Sequence, residues 1–156
     1  MKLAKVFKEN KQFTLFSILA LVVVGVAVFA PQIAPYDPLD AVMLESLQAP
    51  SSAHPFGTDK LGRDLLSRVI FGTRTSLVMT LCLVAVIFVI GTFLGVIAGY
   101  FGGIVDGVIM RIADMMISFP GLVLAIAIAG MLGPNLVNAV ISIAAVSWTK
   151  YARLAR

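Results

Sequence analysis

Charge is what this sequence has least of. Only 13% of its 156 residues are Asp, Glu, Lys or Arg, about half the roughly 25% of an ordinary soluble domain. With 60% hydrophobic residues and a mean hydropathy of +1.01, the chain cannot clothe a globular surface in water, and it reads as an integral membrane protein. Cysteine occurs once, as Cys82 inside an apolar run. That excludes an intrachain disulfide and leaves the reading of a small apolar residue. Histidine also occurs once, as His54, with no cysteine near it. His54 reads as a loop histidine rather than a metal ligand, and no apolar run holds a histidine for a Ser-His-acid triad. No Gly-rich loop runs into Lys-Ser or Lys-Thr, so the nucleotide-phosphate cradle is missing. The net charge is +4, but the basic residues sit at the ends of apolar runs and form no stripe with interleaved aromatics. This points away from nucleic acid and toward orientation signals. No catalytic residues, no cofactor site and no metal site emerge, so the chain is not expected to be an enzyme.

What is present is a series of apolar runs. Residues 1–12 form a short basic leader with Lys2, Lys5, Lys8 and Lys11. Residues 13–30 follow without a charge, longer than the apolar part of a signal peptide, and Val28-Phe29-Ala30 is followed at once by Pro31. The run is therefore expected to be an uncleaved first transmembrane helix, stopped by Pro31 and Pro35. Residues 31–74 form a polar, proline-punctuated loop. Residues 75–99 are again uncharged and long enough to cross a hydrocarbon core of about 30 Å. Gly91, Gly95 and Gly99 recur there at i, i+4, i+8, a stripe on which a neighbouring helix backbone can come close. Tyr100-Phe101-Gly102-Gly103 reads as a tight turn. A third span is expected over about 107–132, kinked by Pro120, a candidate flex point. Asp106 is placed at its interfacial end, with Arg111 and Asp114 at i, i+3 as a candidate structural ion pair. Gly133-Pro134-Asn135 is the next turn, and a fourth span is expected over about 135–151, with Trp148 and Tyr151 as interfacial aromatics. The expected fold class is all-α, a polytopic transmembrane helix bundle.

The stretch His54–Arg74 is neither plainly spanning nor plainly loop. Its apolar residues fit one helical face, which predicts an amphipathic helix over 59–72, capped by Thr58 and lying along the membrane surface. Asp59 with Arg63, and Asp64 with Arg68, fall at i, i+4 with the acid toward the N-terminus, the better orientation for pairing. With four spans, both chain ends share a side. That side carries Lys2, Lys5, Lys8, Lys11, Arg111, Lys150, Arg153 and Arg156, against Lys60, Arg63, Arg68 and Arg74 on the other. The imbalance predicts a cytoplasmic N-terminus, with the amphipathic segment outside.

The motif His-Pro-Phe-Gly-Thr-Asp-x-Leu-Gly-Arg-Asp-x-Leu-Ser-Arg, His54 to Arg68, closely resembles the segment before the second span in permease subunits of ATP-binding-cassette importers. The branch is the dipeptide/oligopeptide/nickel permease family, second-permease type. The likeness continues through Gly72-Thr73-Arg74-Thr75-Ser76-Leu77, Gly95 to Gly103, Asp106, Met110-Arg111, Asp114, Phe119-Pro120 and Leu132-Gly133-Pro134, and ends with Trp148 and Tyr151 to Arg156. The resemblance implies a multi-pass plasma-membrane subunit that takes up peptides, nickel or a related small solute. It implies a second permease as heterodimer partner, two ATPase subunits supplying energy, an extracytoplasmic solute-binding protein, and membrane lipid around it. Family members have six spans and a cytoplasmic Glu-Ala-Ala loop just beyond the position of Arg156. The chain ends before that loop, so residues 75–156 are expected to be the N-terminal part of the importer transmembrane domain in a truncated product or partial sequence. The residues alone also fit a non-transporting four-helix membrane anchor or regulatory protein. Peptide and nickel systems share these motifs, so the solute is open.

Overall fold

The computed structural model describes residues 10–156; Lys2, Lys5 and Lys8 of the predicted leader lie outside the described residues. Helix is the only regular structure there apart from one isolated antiparallel bridge between Thr58 and Asp64. The chain divides into two compact units, residues 1–77 and 78–156.

In the first unit, α1 covers Lys11–Val28. Its large side chains, such as Phe16 and Leu21, are exposed, as expected of a helix whose solvent is lipid. The chain bends at Phe29 into a short α2, Ala30–Ile33, with Pro31 in the first turn. There proline costs no hydrogen bond. The predicted stop at Pro31 is thus two residues late. The following loop contains a 3₁₀ turn at Met43–Glu45 and leads into α3, Leu65–Phe101, a single helix of 37 residues.

The predicted amphipathic helix over 59–72 is corrected. Residues 59–64 are turns, and 65–72 are the first two turns of α3. Two causes are local. Gly57 and Gly62 hold φ of +74° and +75°, the left-handed region that interrupts a right-handed helix. The Asp59 carboxylate accepts from the amides of Leu61 (2.8 Å) and Arg63 (3.1 Å), so side-chain bonding takes the place of the helical ladder. Thr58 is not an N-cap. It is buried, its hydroxyl donates to the Glu45 carbonyl, and the Gln48 amide donates to its Oγ1 at 2.8 Å.

In the second unit, α3 ends at a turn where Gly102 and Gly103 both take positive φ, and α4 follows over Gly103–Ser118. α5 covers Gly121–Leu132 and α6 Leu136–Ala155. The predicted third span over 107–132 is not one kinked helix: α4 and α5 meet at 93°. Phe119 is extended (φ −90°, ψ 147°), as the residue before a proline prefers. Pro120 then caps α5, its carbonyl accepting from Val123 and Leu124. Among the described residues two helices, α1 and α3, are long and apolar enough to cross a membrane, three spans if α4 and α5 count as one. The expected fourth, 135–151, falls in α6, which is not among them. Ala98, Met110 and Ala152 form the buried centre where α3, α4 and α6 meet, with Ile109 and Trp148 packed on it.

Candidate functional site

Three arrangements hold the polar and small residues singled out by the sequence. The first is the head of α3. Asp64 directly precedes the helix, and its Oδ2 accepts from the Ser67 amide at 2.7 Å, the geometry of an N-cap. Its Oδ1 lies 3.0 Å from Nδ1 of His54, and Nε2 of His54 lies 3.4 Å from Glu45. His54 and Asp64 are both buried. Tyr36 packs its ring against His54, centroids 4.9 Å apart, and its amide donates to Ser67 Oγ at 3.1 Å. The predicted Asp64–Arg68 pair is therefore corrected: Asp64 is taken by the cap and by His54. Burial pushes the Asp64 carboxyl upward, but bonds from Ser67 and His54 outweigh it and hold it below its ordinary range.

Arg68 pairs instead with Asp59, at 3.0 Å. Asp59 also holds Arg63, at 2.8 Å, across a turn rather than along a helix. Partial burial raises the Asp59 carboxyl, while bonds from the Arg63 side chain and the Arg63 and Leu61 amides bring it down to about 2.

The second arrangement is the glycine stripe. Gly91, Gly95 and Gly99 face α6 at backbone contact. A Cβ on Gly91 would stand 2.5 Å from Tyr151 Cβ and 2.7 Å from the Trp148 carbonyl oxygen. On Gly95 it would stand 2.9 Å from Ala155 Cβ, and on Gly99 2.9 Å from the Arg156 carbonyl oxygen. Real Cβ atoms do not approach so closely, so α6 sits where only glycine admits it. α6 answers with its own small residues, burying Ser142, Ala144, Thr149 and Ala152.

The third arrangement links α4 to α6. Asp114 pairs with Arg153, and Asp106 with Arg156. The predicted Arg111–Asp114 pair does not form, because a long arginine on α6 reaches Asp114 across the helix packing. Oδ1 of Asp106 is buried with no partner among the described residues. Beside the bend at Pro120, a cavity of about 460 Å³ opens between α5 and α6, lined by Phe119, Leu122, Ala125, Ile143 and Val146, with Lys150 at its polar side. Among the described residues no group of His, Cys, Asp and Glu could hold a metal. The sequence reading missed the roles of His54, Ser67, Arg153 and Arg156. For the arginines the spacing gave no signal: Asp106 and Asp114 stand eight residues apart on α4, whereas Arg156 and Arg153 are three apart at the end of α6.

The profile of the N-terminal transmembrane domain of oligopeptide transport permease C matches residues 2–50, and that of the binding-protein-dependent transport system inner membrane component matches residues 91–156. A dipeptide transport system permease protein of Haemophilus influenzae is 40% identical over 96% of this chain and 53% of its own length. A probable D,D-dipeptide transport system permease protein of Escherichia coli is 41% identical over 99% of the chain and 52% of its own length. An Escherichia coli nickel transport system permease protein is 40% identical over 78% and 44% respectively. The chain spans about half the length of the curated relatives it matches. With two profiles matched in order along one chain, and relatives about 40% identical over nearly its whole length, the chain belongs to the family of inner-membrane components of binding-protein-dependent transport systems, in its dipeptide/oligopeptide/nickel permease branch.

Proposed function

We propose that this chain is part of a permease subunit of an ATP-binding-cassette importer that takes up small peptides or nickel. The observation that carries the reading is the ordered double match, 2–50 and 91–156, in a chain with no nucleotide-binding motif of its own. Energy then comes from two ATPase subunits, solute from an extracytoplasmic binding protein, and the pathway is shared with a second permease. In this reading the chain crosses the membrane four times, with the N-terminus in the cytoplasm and the loop of residues 31–64 outside, an orientation that the eight-to-four distribution of basic residues favours. The glycine contact between α3 and α6 supports a compact domain of closely packed helices, and the α4–α5 break at Pro120 supplies a joint where helices can move.

Peptides are the first solute to test, because relatives matched over 96% and 99% of the chain are dipeptide permeases by name. The test is uptake by cells from which the gene is deleted and then restored. Loss of accumulation of a radiolabelled dipeptide, recovered on restoration, supports the reading. Loss of nickel accumulation with normal dipeptide uptake moves the solute to nickel. Unchanged uptake of both contradicts an importer role.

A further inference from the structure

We propose that Arg63 and Arg68, at the head of α3, form a binding site for the phosphodiester of an anionic membrane lipid. Two guanidinium groups share one carboxylate, Asp59. That carboxylate already takes the Leu61 and Arg63 amides on Oδ1, and Arg63 Nε, Arg63 Nη2 and Arg68 Nη1 on Oδ2. Nη1 of Arg63 and Nε and Nη2 of Arg68 have no acceptor among the described residues. The pair thus carries one uncompensated positive charge and a set of unused donors, and both side chains are partly accessible.

Both arginines line a shallow pocket of about 330 Å³, whose other walls include Leu39, Phe71 and Gly72. Arg68, Phe71, Gly72 and Thr75 fall at i, i+3, i+4 and i+7, one face of the helix. Gly72 leaves the floor open, since a Cβ there would meet nothing within 4 Å. Phe71 and Leu39 give the pocket an apolar side.

Position then selects the ligand. The uncharged run of α3 begins at Thr75, two turns beyond Arg68 and one beyond Phe71, so the pocket lies at the level where lipid headgroups stand. Planar guanidinium donors match the paired oxygens of a phosphate, and the apolar wall suits the glycerol and upper acyl chain. The proposal rests on the membrane placement of α3 and not on transport, so it stands or falls separately from the solute.

The test uses the full-length protein in its assembled complex, purified in detergent, with retained lipid read by native mass spectrometry after exchange against mixtures of phosphatidylglycerol and phosphatidylcholine. One uncompensated positive charge near the surface predicts a preference for phosphatidylglycerol of about fivefold. The double variant Arg63→Gln/Arg68→Gln is expected to lose it. Gly72→Leu keeps both arginines and fills the pocket, and is expected to lose it too, which separates binding from any folding defect of the arginine variant. Equal retention of the two lipids by the unaltered protein overturns the proposal, as does an unchanged preference in Gly72→Leu. Competition by inorganic phosphate or glycerophosphate at concentrations matching the lipid overturns the lipid source.

Discussion

Asp64 shows how much a single side chain does in this protein. One oxygen caps a 37-residue helix and the other holds a buried histidine. Replacing it by alanine removes a cap worth about 1–2 kcal/mol and leaves His54 without its nearer partner, which costs about 1–3 kcal/mol more. Thermal unfolding of Asp64→Ala in detergent should therefore show a clear fall in midpoint. Asp64→Ser, which can still cap but cannot reach His54, should fall between the two. The same residues set an acid limit. The carboxyls of Asp64 and Asp59 are held below their ordinary range in the folded protein, so each stabilises the fold at pH values above the unfolded value near 4 and loses that contribution as pH falls through the folded one. For Asp59 that window runs from about pH 4 down to about 2. Unfolding midpoints measured across it should drop with pH, and the drop should shrink in Asp59→Asn.

At the level of elements, the close packing of α3 on α6 outweighs the visible ion pairs. The Asp114–Arg153 side chains are about half exposed, and pairs of that kind contribute about 0.2–1 kcal/mol. Forcing a methyl into the glycine contact costs about 1–3 kcal/mol. Gly91→Ala should accordingly destabilise the protein and separate α6 from α3, seen as a lengthened distance between spin labels on the two helices. Gly107→Ala, in α4 with open space around it, should be neutral or slightly stabilising, by up to about 1 kcal/mol. The glycine stripe was legible in the sequence because spacing of four along a helix fixes a face. The head of α3 was not. Its apolar residues do fit one helical face, but Gly57, Gly62 and the Asp59 side chain decide the backbone through positive φ and local bonding. The pairing of charges was legible only in part. Sequence spacing finds partners on the same helix, whereas Asp114 and Asp64 take theirs from other segments. At Pro120 the sequence indicated that the helix is disturbed but not by how much.

For the whole molecule, membrane character was legible from composition alone, since 13% charge and 60% hydrophobic residues leave no other class. The function was not: a helix bundle without catalytic residues could equally anchor a complex, and it is the ordered motifs from His54 to Arg156 that narrow it to the importer family. The importer role proposed for this chain assigns ATP hydrolysis to partner subunits and helix movement to the permease. The most direct measurement is solute accumulation by proteoliposomes holding the full-length protein with its second permease and ATPase subunits, with ATP enclosed and binding protein outside. Importer function predicts accumulation that requires ATP and binding protein together and falls in Gly91→Ala in step with its helix separation. Equal accumulation without ATP, or none with every component present, would contradict it.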